Sequence, residues 1–201
     1  MMNLFDIEEP ATSATEILFG WKETPRLVAV EMTDTEAILH QRQPDGGRTS
    51  WREPFTSWLL TTQHYADIDA RWQRLDGDGY CWMAQFDSWT EYQTARTRLR
   101  DMHVEMFAFG SAERQFLTLS GYTLFKEMSF DDVHRMQVDI ETAGLNPQDP
   151  ANRILLIVLH DNRGWSEVLD DANEALLLQR FVQLLRQRDP DVIEGHNLYG
   201  F

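Results

Sequence analysis

In the first half of the chain, apolar and polar residues alternate in short runs with the period of two that marks half-buried strands. Arg26–Met32 and Glu36–Arg42 flank Thr33-Asp34-Thr35 and predict a hairpin. Pro44-Asp45-Gly46-Gly47 is a turn signal, and Thr49–Leu60, rich in aromatic and β-branched residues, predicts the next strand or two. Ala70–Leu75 and Tyr80–Phe86 bracket Asp76-Gly77-Asp78-Gly79, a second predicted hairpin. The period then changes. Ser88 followed by Glu91 is a capping box, and the segment to Met102 reads as a helix. Val104–Phe109 predicts a strand, and Ser111–Leu119 a short helix ended by Gly121.

A second unit begins near Ser129. Met136–Glu141 alternates, whereas Arg153–Leu159 is an apolar run that predicts a strand covered on both faces. A short strand is expected at Gly164–Leu169. Asp171 and Glu174 predict a capping-box start to a helix over Ala172–Arg188, with Leu177, Leu178, Phe181, Val182, Leu184 and Leu185 at helical spacing. Pro190 stops it, and Asp191–Glu194 reads as a final strand. The expected fold class is α/β (α+β overall). A β-rich N-terminal domain over 1–130 precedes an α/β domain over 131–201 whose last elements are missing.

A length of 201 residues suits one large or two small domains. The 33 acidic against 18 basic side chains give a formal charge of −15. That balance argues against a general nucleic-acid coat, which leans on Lys and Arg. It leaves room for an enzyme that cuts nucleic acid, because such enzymes gather carboxylates around Mg²⁺ or Mn²⁺. The single cysteine, Cys81, excludes an intrachain disulfide and fits a reducing, cytoplasmic setting. Met1–Pro10 is acidic, the opening residues read as a loose lead-in, and no run of apolar residues is long enough to span a membrane.

Candidate chemistry lies in two places. In a strand, residues i and i+2 share a face. Gln137, Asp139 and Glu141 should therefore oppose Met136, Val138 and Ile140. Adjacent carboxylates repel unless a cation sits between them, and two divalent ions there could activate water against a phosphodiester. Taken alone, Asp-x-Glu reads more often as solvated carboxylates on an edge strand. The second place is Gly195–Phe201, directly after a strand, where α/β sites often lie. Asn197 can bond a nucleotide, and Tyr199 or Phe201 can stack on a base. Taken alone, a polar loop with an aromatic plug is the commoner reading. Arg96, Arg98 and Arg100 read as a solvated helix face, and Trp51, Trp58, Trp72, Trp82 and Trp89 mostly as core or interface residues.

Met136–Thr142, followed by Asp189–Phe201, is similar to the first and second exonuclease motifs of family B DNA polymerases. Gly121–Arg135 resembles the segment those polymerases carry before the first motif, and residues 1–120 resemble their N-terminal domain loosely. The resemblance implies a ribonuclease-H-like 3′→5′ proofreading exonuclease domain, incomplete here, with four essential carboxylates and two Mg²⁺ or Mn²⁺ ions in the complete site. Asp139 and Glu141 stand where the first-motif catalytic metal ligands stand. Thr142, Asn197, Tyr199 and Phe201 stand at positions implied to contact the 3′ single strand. The family's next residue after Phe201 is an aspartate, which is not in this sequence, and neither is the third motif. His196 does not match a catalytic base. The implied partners are a DNA 3′ end and, in a whole polymerase, primer-template and dNTPs. This chain is expected to be inactive by itself and able to self-associate through its exposed exonuclease face. Two other readings stand beside this one. One is a stand-alone nucleic-acid- or polymerase-binding protein with a decayed exonuclease core. The other is a free-standing 3′→5′ exonuclease.

Overall fold

The structure is a computed structural model and describes residues 16, 19–144, 146, 148–149 and 151–196. The fold is mixed α/β, and the chain divides into two compact units, Met1–Glu127 and Met128–Phe201.

The first unit opens with an antiparallel sheet of β1 (Leu27–Met32), β2 (Glu36–Arg42) and β3 (Arg48–Pro54), in that order. Thr33 Oγ1 accepts the Glu36 N–H at 2.9 Å and closes the first hairpin. The second turn, Gln43–Gly47, needs the left-handed backbone that Gly46 adopts at φ 88°. Leu27, Ala37 and Leu39 point to one face, where they bury with Phe55, Phe116 and Tyr122. Next come β4 (Ser57–Thr61), β5 (Arg71–Arg74), β6 (Trp82–Phe86), α1 (Trp89–Asp101) and β7 (Met106–Phe107). Their strands form a second sheet in the order β5-β6-β4-β7. The strand expected over Val104–Phe109 thus shortens to two residues.

Helix α1 begins as the sequence predicts, with Ser88 Oγ accepting the Glu91 N–H at 3.1 Å. Glu91 reaches back to the Asp87 N–H, one residue before the cap. Its Tyr92, Ala95 and Leu99 cover Leu59, Ala84 and Phe86 of the sheet. Helix α2 (Ala112–Ser120) starts at the Ser111 cap and ends on Gly121 at φ 73°. Buried Gln115 on α2 bonds the Trp58 backbone twice. Its Oε1 accepts the N–H at 2.9 Å, and its Nε2 donates to the C=O at 2.7 Å. The short β7 pairs only with Leu60 and Thr61, so the Gln115 amide takes the place of a strand partner at Trp58. Trp58 is buried, and Trp51, Trp72, Trp82 and Trp89 are half-buried within this unit.

The second unit contains β8 (Arg135–Thr142), β9 (Ile154–Asp161), β10 (Ser166–Asp170), α3 (Glu174–Arg188) and β11 (Val192–Glu194). The sheet order is β10-β9-β8-β11. The first three strands are mutually antiparallel neighbours, and β11 returns parallel to β8 after the helix. Leu177 and Leu184 of α3 bury against Met136, Val138, Ile157, Leu159 and Leu169 on one face.

Two expectations are corrected here. The apolar run of β9 is covered on one face. Ile157 and Leu159 are fully buried, but Leu156 and Val158 on the other side are half-buried, and their neighbour Val168 is 61% exposed. The helix also starts two residues later than expected. Asn173 is the cap and accepts the Ala175 and Leu176 N–H groups. Asp171 instead accepts the Asn173 N–H, and Glu174 accepts the Ile154 N–H at 2.7 Å, tying the helix start to β9. Among the described residues, no helix is long and apolar enough to cross a membrane.

Candidate functional site

Strand β8 lies between β9 and β11 in the sheet order, but β11 pairs only with Arg135–Gln137, and Asp139 and Glu141 have a paired strand on the β9 side. Met136 and Val138 are buried under α3, while Gln137, Asp139 and Glu141 are exposed on the opposite face. Two residues of strand separate Asp139 from Glu141, a rise of roughly 6.5–7 Å. Asp139 lies beside Val158 and Glu141 beside Leu156. The β-bulge comes after Glu141, so the shared face of the two carboxylates is kept. Within the described residues no third carboxylate, His or Cys joins them into a metal-holding group. Two carboxylates by themselves fall short of the full oxygen set that a hard divalent cation takes.

Strand β11 runs toward this place. Val192, Ile193 and Glu194 lie beside Arg135, Met136 and Gln137 in parallel register. The chain leaving β11 at Gly195 is therefore directed along β8 toward Asp139 and Glu141. His196 is exposed there. Asn197, Tyr199 and Phe201 lie outside the described residues. Thr142 is half-buried, and its hydroxyl donates to the Gly144 carbonyl at 2.8 Å, closing the end of the strand.

Sequence reasoning missed two arrangements. Phe130, Arg135 and Glu194 meet at the opposite end of the same open face. The Arg135 guanidinium lies 3.7 Å from the Phe130 ring centre and bonds Glu194 at 3.2 Å. Beneath this end, Asp161 is fully buried and accepts from Arg188, from His134 Nε2 at 3.1 Å, and from the backbone N–H groups of Arg163 and Trp165. Burial pushes its carboxyl upward. The Arg188, Trp165, His134 and Arg163 donors more than offset this and hold it well below the usual carboxylate range. Arg188 also lies over the Trp165 ring. His134 accepts the Asp191 and Val192 N–H groups at its carbonyl, so the cluster joins β8, β9, α3 and β11. Residues 27 apart carry no spacing signal, so a pattern reading could not pair them.

The first unit offers a cleft of about 440 Å³ lined by Arg71, Gln85, Phe86, Glu91, Thr94 and Arg98, among others. Its cations are engaged: Arg71 pairs with Asp87, and Arg98 donates to the Asp67 carbonyl at 2.8 Å.

No protein-family model and no curated protein matches the chain. Its fold is similar to that of the family B DNA polymerase from the hyperthermophilic archaeon Pyrobaculum calidifontis. The TM-score is 0.53 at 14% sequence identity, over 86% of this chain and 30% of that one. The likeness is one of fold, and the chain spans under a third of that polymerase's length.

Proposed function

We propose that the second unit is the opening part of a 3′→5′ exonuclease domain of the family B polymerase kind, with Asp139 and Glu141 as its first metal-binding carboxylates. The observation that carries this reading is their joint exposure on the open face of β8, just beyond the stretch where parallel β11 pairs with it and toward which β11 runs. The antiparallel three-strand start, the helix and the parallel fourth strand suit the ribonuclease-H-like fold implied by the two motifs. The fold likeness to a family B polymerase supports the same reading. DNA is the partner, with its single-stranded 3′ end presented to the open face. Templated synthesis from dNTPs belongs to a whole protein of that type.

Asp139 and Glu141 would hold a divalent cation through carboxylate oxygens. When bound, such an ion supplies an activated water and charge neutralisation at phosphate. The strand fixes the two side chains on one face, and pairing with β9 at Val158 and Leu156 holds that face in place. With two carboxylates, Mg²⁺ should bind more weakly than low micromolar, and the 201-residue chain should not degrade DNA, because the geometry of both ions and water is under-determined.

Two measurements test this. Mn²⁺ titrated into the isotope-labelled chain should broaden the amide signals around Asp139 and Glu141 first, and the Asp139→Asn/Glu141→Gln double variant should lose that selectivity. Broadening centred elsewhere would remove the site. With 5′-labelled single-stranded DNA, the chain should give no ladder, and a longer form carrying the remaining carboxylates should give one that the double variant abolishes. Laddering by the 201-residue chain would show the site is complete without them.

A further inference from the structure

The open face of the second unit has two ends. Asp139 and Glu141 mark one, and Phe130, stacked on Arg135, marks the other. Strand alternation puts Arg135, Gln137, Asp139 and Glu141 on one face, and the parallel pairing puts Glu194 there too. Phe130 is 69% exposed and has the Arg135 guanidinium against its ring at 3.7 Å.

A lone exposed aromatic is ordinary, but this one is held in advance. Its turn is fixed by Asp132, which accepts both the N–H and the hydroxyl of Ser129 at 2.8 Å. The guanidinium beneath it is anchored to Glu194 at 3.2 Å, and the Arg135 N–H to Asn162 at 2.9 Å. A ring so positioned loses little further freedom when a flat partner covers it.

We propose that Phe130 is a stacking platform for one base of the single strand whose 3′ end lies at Asp139 and Glu141. The inference rests on the exonuclease reading and deepens it by naming a substrate contact. Four residues of β8 separate Arg135 from Asp139, about 13 Å. Even at the stacked rise of 3.4 Å per nucleotide that is no more than about four nucleotides. The stacked base therefore lies about two to four nucleotides from the 3′ end. Stacking reads a π-face and no hydrogen-bond pattern, so the contact is indifferent to base identity. It also suits this acidic chain. Stacking needs no net positive charge.

The test uses the 201-residue chain and twelve-nucleotide oligothymidylates that each carry one 2-aminopurine, at low salt with Mg²⁺. The largest fluorescence quench should come from probes about two to four nucleotides from the 3′ end. Phe130→Ala should remove that quench and weaken binding about tenfold. Phe130→Trp should keep both. Phe19→Ala, an exposed aromatic of the other unit, should change neither. Circular dichroism of Phe130→Ala should match the parent, since the side chain is exposed. If Phe130→Ala binds like the parent while Asp139→Asn/Glu141→Gln alters the Mg²⁺ dependence of binding, the platform is wrong and the exonuclease reading stands. If the chain shows no metal-dependent binding of the oligonucleotides at all, both fall.

Discussion

The two units cover their sheets by different means. In the first, α1 lays Tyr92, Ala95 and Leu99 on one sheet, and Phe55, Phe116 and Tyr122 pack against the other. Aromatic rings meet one another throughout, as in the stacked pair Trp89–Tyr92 at 4.5 Å. The second unit has one helix on one face, an aliphatic core of Leu, Ile, Val and Met, and an opposite face that carries Asp139, Glu141 and the exposed Val168. A buried ionic cluster around Asp161 joins its elements instead of further apolar packing. The contrast separates a unit built chiefly by burial from one whose sheet keeps one face open to solvent.

That contrast can be broken most sharply at Arg188. Arg188→Met leaves the Asp161 charge buried with less compensation, and loss of one partner of such a pair costs about 3–5 kcal/mol. Hydrogen exchange should show β8, β9 and β11 losing protection while the first unit keeps its own. Equal loss in both units would mean that they do not fold as separate bodies.

In the first unit, Gln115→Leu removes both bonds to buried Trp58 backbone groups. The expected cost is about 2–3 kcal/mol, since each unmet group costs about 1–3 kcal/mol. Urea unfolding followed by tryptophan fluorescence reads it. A change below 0.5 kcal/mol, the scale of a neutral surface substitution, would show that another donor fills the gap.

pH should separate the units in opposite directions. The folded-state value of Asp161 lies below its unfolded value of about 4. Its contribution is fully present above that value and is lost as pH falls through the folded one, so the second unit weakens in acid. Asp161→Asn should flatten that arm. The Tyr122 hydroxyl is pushed up to about 12, first by burial and then by its bond to Glu53. Its contribution is complete below about pH 10, the unfolded value, and is lost as pH rises toward 12. The first unit should therefore weaken in base, and Tyr122→Phe should remove that loss. Thermal unfolding across both ranges, with each variant, checks the pair.

The smallest effects are at the caps. Ser88→Ala and Asn173→Ala should each cost about 1 kcal/mol, in the first and second unit respectively. Asp171→Ala should cost less than Asn173→Ala, because Asp171 bonds only the Asn173 N–H in the turn ahead of the helix.

Pattern was most legible where the cause is local. The alternation of Met136 and Val138 with Gln137 and Asp139 placed the carboxylates on one face, and the capping oxygen of Ser88 marked the helix start within a residue. It failed where neighbours decide. An apolar run such as Ile154–Leu159 does not reveal whether one face or two will be covered, because Leu156 and Val158 are as apolar as Ile157 and Leu159. The cap expected at Asp171 is held instead by Asn173 two residues on, with the bond from Ile154 to Glu174 tying the helix start to β9. The Asp161 cluster and the Phe130–Arg135 stack depend on the sheet bringing distant residues together, and no spacing rule predicts them.

The Gln115 bridge to Trp58 has a bearing on the company this protein keeps. Ser57-Trp-Leu-Leu-Thr61 is uncharged, β-prone and free of proline, and two-residue β7 leaves half of its outer edge without a strand. Such an edge is a template onto which another molecule's strand can add, the first step toward amyloid-like stacking. One glutamine amide, held by α2, occupies the donor and acceptor that an incoming strand would need. Its position guards against misassembly at a cost of one side chain, and the hazard it contains is released whenever α2 frays.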